Sequence, residues 1–194
     1  MIDHSKPADK RQLILDATGR LLALYGFHGL SMQLVAKEAG VAAGTIYRYF
    51  DSKTSMIKAL HGQIIHDVAA ELFRGYDTAA SLRERFDYLW QCSWQLFLDM
   101  PDVLVSKYQF ERLPLEADRQ QMQDLEDRVF APITAFWQEG REQGVFKEMH
   151  DEIFATLTFE VCADLAFKQL AGKLTLTQAE IEVVRDASWA AITL

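Results

Sequence analysis

Apolar residues in this chain recur at helical spacing almost from end to end, and that periodicity narrows the possible folds more than any other feature. Leu13, Ala17, Leu21 and Leu24 fall on one face of residues 10–25, while Phe86, Trp90, Trp94 and Phe97 follow spacings of four, four and three. Strict alternation of apolar and polar residues, the mark of a half-buried strand, is scarce. The pattern predicts an all-α protein of about nine helices. Gly26 can end the first helix, Ser31 is a plausible N-cap for a second reaching Lys37, and Gly40 turns the chain into a third over residues 42–49. Asp51 or Ser52 can open the next, with residues 56–72 helical. Ser81 with Glu84 and Thr177 with Glu180 have capping-box spacing for helices that stop before Pro101 and near Ile192. Residues 102–112, 116–143 and 151–171 complete the set; Pro132 kinks or divides the second of these, and Gly144 stops it.

Three short helices therefore fill residues 1–53, and longer ones fill residues 54–194. Charge divides at the same place. The net charge is −8, but residues 1–53 carry seven Lys/Arg against five Asp/Glu, and the remainder thirteen against twenty-three. A mildly basic head on an acidic body suggests that only the head approaches a polyanion, although an excess of two charges is weak by itself. Hydrophobic residues make up 49% and charged residues 25%, which argues for a folded core. No apolar run nears the ~20 residues that cross a bilayer, so no membrane partner is expected. The opening MIDHSKPADKR lacks the apolar core of a secretion signal, so the chain reads as cytoplasmic. Cys92 and Cys162 are far apart in sequence and read as buried reduced thiols; no metal or cofactor is expected.

Short helix, glycine-containing turn and second short helix make a helix-turn-helix. Leu34, Val35 and Ile46 can bury against Leu21 and Leu24, and small Ala36 and Ala39 allow a close crossing. That leaves Ala42, Ala43, Thr45, Tyr47 and Arg48 on an outer surface able to enter a major groove.

The stretch LVAKEAGVAAGTIYRYFDSKTSMIKAL, preceded by ILDATGRLLALYGFHGLSM, closely resembles the TetR family of bacterial one-component transcription regulators. The clear resemblance covers about the first sixty residues, and TIYRYFDSK is its most specific part. It implies that Tyr47 and Tyr49 touch DNA backbone or bases, or that one of them only packs, with Phe50 in the core. Lys53, at the start of the next helix, is implied to hold a phosphate. Thr45 and Ser31 offer hydroxyls to phosphates, Ser31 being equally a cap. Arg48 either reads a guanine edge or grips the backbone. Ala42 and Ala43 depart from the polar residues frequent in the family, so reading there would be contact with thymine methyl groups. Lys6, Lys10 and Arg11 add phosphate contacts or form a solvated tail.

The resemblance also implies a homodimer, built from the last two helices, on a pseudo-palindromic operator in double-stranded DNA. Phe154, Leu157, Val161, Leu165 and Trp189 are the interface candidates. It further implies a small-molecule effector between the middle helices, apolar or aromatic in character. Trp90, Trp94, Phe97, Tyr108, Phe110, Trp137 and Phe159 are candidate walls for its pocket, or else plain core. Glu160 and Asp164 face a cationic ligand, form a buried ion pair, or point to solvent. The expected function is a repressor released by its effector. Two alternatives stand beside it: an effector-free DNA-binding or partner-recruiting factor, and an enzyme. The five histidines form no nameable catalytic constellation, and Glu148, His150, Asp151 and Glu152 read as a metal site less readily than as a solvated helix start.

Overall fold

The computed structural model describes residues 9–111 and 116–194, and its regular structure there is helical. The helices are α1 (Lys10–Gly29), α2 (Met32–Glu38), α3 (Ala43–Ile46), α4 (Lys53–Leu72), α5 (Leu82–Asp99), α6 (Pro101–Glu111), α7 (Glu116–Val129), α8 (Ala131–Glu142), α9 (Asp151–Ala155), α10 (Val161–Leu170) and α11 (Gln178–Ile192). A π-helical turn, Thr156–Glu160, joins α9 to α10, so the expected helix over 151–171 is one rod with a widened turn. Pro132 divides the expected 116–143 helix into α7 and α8, taking a place in the first turn of α8 where its missing N–H costs nothing. Both predicted capping boxes are present, Ser81 with Glu84 and Thr177 with Glu180. Ser52 opens α4 by a reciprocal pair in which each of Ser52 and Ser55 donates its backbone N–H to the other's hydroxyl, both at 3.0 Å.

Packing divides the chain into two units. One comprises the residues up to Ile65 together with Val105–Gln123; the other comprises His66–Leu104 with Asp124–Leu194. The division therefore falls inside α4 rather than at the expected 53/54 boundary. In the N-terminal unit Ile14, Leu15, Leu21, Leu22, Val35, Ile46, Phe50, Met56 and Ile57 form the core. The buried face of α1 only partly matches the one expected: Ala17 and Leu21 are buried, Ile14, Leu15, Thr18 and Leu22 lie inside with them, whereas Leu24 is 72% exposed and Leu13 borders solvent. Leu24 lies just before the break at Gly26, whose φ of +65° ends the regular turns. Burying Leu22 and Ile14 stabilises the unit by roughly 1.5–3 kcal/mol per side chain.

The C-terminal unit is built on aromatics. Phe86, Trp90, Phe136, Phe146 and Phe154 are fully buried, and Phe146 packs against Phe136, Phe154 and Trp189 with centroid separations of 5.2, 5.7 and 5.5 Å. Phe146 also pairs with Thr193 in an isolated antiparallel bridge. Lys147 N–H donates to Ile192 C=O at 2.9 Å, and Leu194 N–H donates to Val145 C=O at 3.1 Å, which ties the end of α11 to the segment after α8.

Candidate nucleic-acid interface

Helix α2 ends in a double hydrogen-bonded turn. Gly40 N–H donates to Lys37 C=O at 3.3 Å and Val41 N–H to Ala36 C=O at 3.0 Å, with Gly40 at φ +66°. That left-handed conformation is one a side chain would strain, so glycine sets the angle at which the next helix leaves. Ser31 begins α2 by accepting from Leu34 N–H at 3.2 Å, and its exposed hydroxyl keeps its own proton free to donate.

Helix α3 is short and continues as tight turns to Phe50, through Arg48 N–H to Thr45 C=O and Phe50 N–H to Ile46 C=O at 3.1 and 2.9 Å. Ile46 and Phe50 are buried, four residues apart, and pin this segment to the core. The residues between them must then face outward. Tyr47 is 58% exposed, Tyr49 is 38% exposed, and Arg48 is exposed with its guanidinium 6.0 Å from the Tyr49 ring. Ala42, Ala43 and Gly44 are exposed and Thr45 half-buried, and Ala42 makes no side-chain cap. The result is a projecting surface of methyl groups, phenol rings and one guanidinium. Arg11, at the start of α1, lies 5.7 Å over the Phe50 ring.

Lys53, implied by the resemblance to hold a phosphate, has partners within its own unit. Its ammonium is half-buried, donates to Phe27 C=O at 3.0 Å and Leu30 C=O at 3.3 Å, and sits 4.0 Å from the centre of the Phe27 ring. Sequence reasoning placed it at a helix start, but the partners lie more than twenty residues away and only packing reveals them.

The candidate effector residues do not all come together. Trp90 and Trp94 stack at 6.0 Å with planes 7° apart, and Trp137 lies against Phe154 and Phe159 at 5.6 and 6.4 Å; these, with Phe97, belong to the C-terminal unit. Phe110 instead belongs to the N-terminal unit, edge-on to His61 at 4.5 Å. The Tyr108 side chain lies outside the described residues. Glu160 and Asp164 are exposed, Glu160 accepting from the Thr156 hydroxyl and Asp164 pairing with Lys168, so among the described residues they form no buried ion pair with each other or with a neighbour. Two polar groups missed in the sequence lie in this unit. Trp90 is fully buried, and its indole N–H has no acceptor among the described residues. Arg85 is 4% exposed, donates to Tyr76 Oη at 2.9 Å and Glu139 Oε2 at 2.6 Å, and lies over the Phe136 ring.

Of the interface candidates, Phe154 is fully buried and offers no free face, whereas Trp189 packs on Phe86 and Phe146 and stays half-buried. The Phe154 ring points into the core of its own unit, against Trp137 at 5.6 Å and Phe146 at 5.7 Å. Val161 and Leu165 do open outward, onto a hollow of about 350 Å³ also lined by Thr156, Glu160, Asp164 and Val184. Ile153, Leu170 and Val183 are exposed on the same group of helices, Val183 at 68%. Asp151, from the acidic cluster considered as a metal site, pairs with Arg141 at 2.7 Å. No helix of the described residues is long and apolar enough to cross a membrane.

Comparison with known proteins bears on the whole chain. Residues 14–60 match the family model described as bacterial regulatory proteins, tetR family, and residues 81–193 match the tetracyclin repressor-like C-terminal domain. The solved structure of a TetR-family transcriptional regulator from Vibrio parahaemolyticus superposes with a TM-score of 0.85 at 35% identity, over 96% of this chain and 100% of that one. An uncharacterized HTH-type transcriptional regulator of Haemophilus influenzae is 29% identical over 185 residues, 95% of this chain and 96% of its own length. The HTH-type transcriptional repressor KstR of Mycobacterium tuberculosis is 27% identical over 130 residues, 66% of this chain and 59% of its own.

Proposed function

Because this chain belongs to the TetR family of DNA-binding transcriptional regulators, we propose that it represses transcription by binding a pseudo-palindromic operator as a homodimer, and that a small effector in the C-terminal unit releases it. The observation that carries the DNA-binding face is the alternation of buried Ile46 and Phe50 with exposed Tyr47, Arg48 and Tyr49. Tyr47 and Tyr49 hydroxyls, the Ser31 and Thr45 hydroxyls and the Arg48 guanidinium supply phosphate contacts and one candidate for a guanine edge. Ala42 and Ala43 supply apolar contact to thymine. Repression as the direction of control is supported by the KstR relative, which is described as a repressor. Its place of action is the cytoplasm.

Two copies are needed because one short helix reads few base pairs; recognition helices about 34–36 Å apart read two half-sites one DNA turn apart. The exposed apolar residues Ile153 and Val183, with half-buried Val161 and Leu165 lining the hollow beside them, support a two-fold interface on α9–α11. The sensor role rests on the buried Trp90 indole N–H. A buried donor without an acceptor is rare in native proteins, and an effector oxygen would satisfy it. Release then requires that the effector favour one arrangement of the dimer over another, since a ligand shifts an equilibrium only by its differential affinity.

The decisive experiment is a gel-shift titration at fixed salt on an operator selected from a random duplex pool. Tyr47→Ala should weaken binding about tenfold or more while the dimer stays folded, and unchanged affinity would remove this face from the interface. A thermal-shift screen tests the sensor: effectors should raise the melting temperature of the wild-type chain and do so less for Trp90→Phe. If no compound class stabilises the protein, the effector-free reading takes its place.

A further inference from the structure

We propose that Lys53 is a positioning residue for DNA recognition, acting through the α1–α2 corner and not through a phosphate; this rests on the DNA-binding reading of the Tyr47–Tyr49 surface. Beyond the break at Gly26, the Phe27 and Leu30 carbonyls lie at a helix end; Phe27 C=O accepts from Leu30 N–H at 3.3 Å and keeps a second lone pair for another donor, and Leu30 is the C-cap. The Lys53 ammonium supplies both with a charge-assisted donor, at 3.0 and 3.3 Å, and its remaining face lies 4.0 Å from the centre of the Phe27 ring. Three favourable contacts hold the ammonium inward.

Position along the chain gives these contacts their consequence. Leu30 immediately precedes Ser31, the residue that caps α2, so the corner determines where α2 begins. Lys53 itself begins α4, three residues after buried Phe50 and four after Tyr49. One ammonium thus ties the entry of α2 to the exit of the α3 segment. Those are the two ends of the helix-turn-helix, and the tie holds the outward residues Tyr47, Arg48 and Tyr49 in register with the cap residue Ser31. Cutting it leaves the phenols and guanidinium in place but loosens the angle at which they meet the groove.

The ionic-strength dependence of binding separates positioning from phosphate contact. Each phosphate neutralised by a lysine contributes about 0.9 to the slope of log affinity against log salt, so losing one contact per subunit flattens a dimer's slope by about 2. Lys53→Met and Lys53→Gln are titrated on the selected operator over a range of salt, as folded dimers checked by circular dichroism and light scattering. Lys53→Met should lower affinity about tenfold with the wild-type slope retained, since the loss is that of hydrogen bonds from a charged donor. Lys53→Gln, which keeps a donor for one carbonyl, should recover part of that loss. Phe27→Leu should lower affinity too, and Lys53→Met should cost less in the Phe27→Leu background than alone, because the two act through one contact. Tyr47→Ala in the same series reports on the recognition surface separately. A slope flattened by about 2 in both lysine variants would overturn the proposal in favour of a phosphate contact. A lowered melting temperature with undiminished affinity would overturn it in favour of a stabilising role alone.

Discussion

Gly140, inside α8, is a glycine of the C-terminal unit with no room for a side chain, and Gly140→Ala follows from it as a test. A Cβ there would stand 2.0 and 2.2 Å from Phe146 Cδ2 and Cε2 and 2.6 Å from Cγ. Carbon atoms in contact sit about 3.5–4.0 Å apart, so the ring would have to retreat by roughly 1.5 Å. It has nowhere to go. Phe146 is fully buried, ringed by Phe136, Phe154 and Trp189, and its backbone N–H is fixed to Gly140 C=O at 3.0 Å. Expelling the ring would cost what truncating a buried Phe costs, about 3–5 kcal/mol. Alanine would return about 1 kcal/mol of helix propensity over glycine. The net expectation is destabilisation by about 2–4 kcal/mol, and for a chain of this length the melting midpoint should fall by roughly 5–15 °C. Thermal and urea unfolding by circular dichroism measure it. Gly44→Ala is the control, since a Cβ there meets nothing within 4 Å. Equal stability of wild type and Gly140→Ala would refute the reasoning, because it would mean the ring yields without cost.

The buried Arg85 guanidinium gives a second test: Glu139→Gln removes the charge that faces it at 2.6 Å and should cost about 1–2 kcal/mol in urea unfolding, discounted because Glu139 is itself partly exposed. Tyr76→Phe, which removes one acceptor of Arg85 Nε–H, should cost about 0.5–1.5 kcal/mol. The capping carboxyls of Glu84 and Glu180 are held below the usual carboxylate range, Glu84 first by the Ser81 hydroxyl and Glu180 first by the Thr177 backbone N–H. Their contribution is present above the unfolded value of about 4.3 and disappears as pH falls through the lower folded values. Acid unfolding followed below about pH 4.3 should therefore be less steep in Glu84→Gln with Glu180→Gln than in the wild type. Burial pushes the Cys162 thiol far up, so an alkylating reagent should leave Cys162 unmodified in the native protein and label it after denaturation, as read by peptide mass spectrometry.

Helix limits were legible in the sequence because they are set by contacts within four residues. Ser81 with Glu84 and Thr177 with Glu180 closed the boxes their spacing announced, Gly26, Gly40 and Gly144 took up the left-handed conformation, and Pro132 found a helix start. The recognition segment was legible for the same reason: Ile46 and Phe50 are one turn apart, and once they face inward Tyr47, Arg48 and Tyr49 face out. Which way a whole helix rolls was not legible. Of the expected core stripe on α1, Ala17 and Leu21 are buried, yet Ile14, Thr18 and Leu22 lie down beside them while Leu13 borders solvent and Leu24 stays in water. Phe154 passed for an interface residue because an apolar side chain carries no mark of whether its burial comes from its own unit or from a partner. Phe110 joined the expected pocket residues by type alone, and packing gave it to the other unit. The same holds for the polar groups. Lys53 turned inward to carbonyls more than twenty residues away, Arg85 found Glu139 fifty-four residues on, and the Trp90 N–H was left without an acceptor among the described residues. Hydrogen-bonding partners and ring contacts between distant segments depend on how the helices are laid together, and that arrangement minimises the cost of burial over a whole unit; no window of sequence contains it.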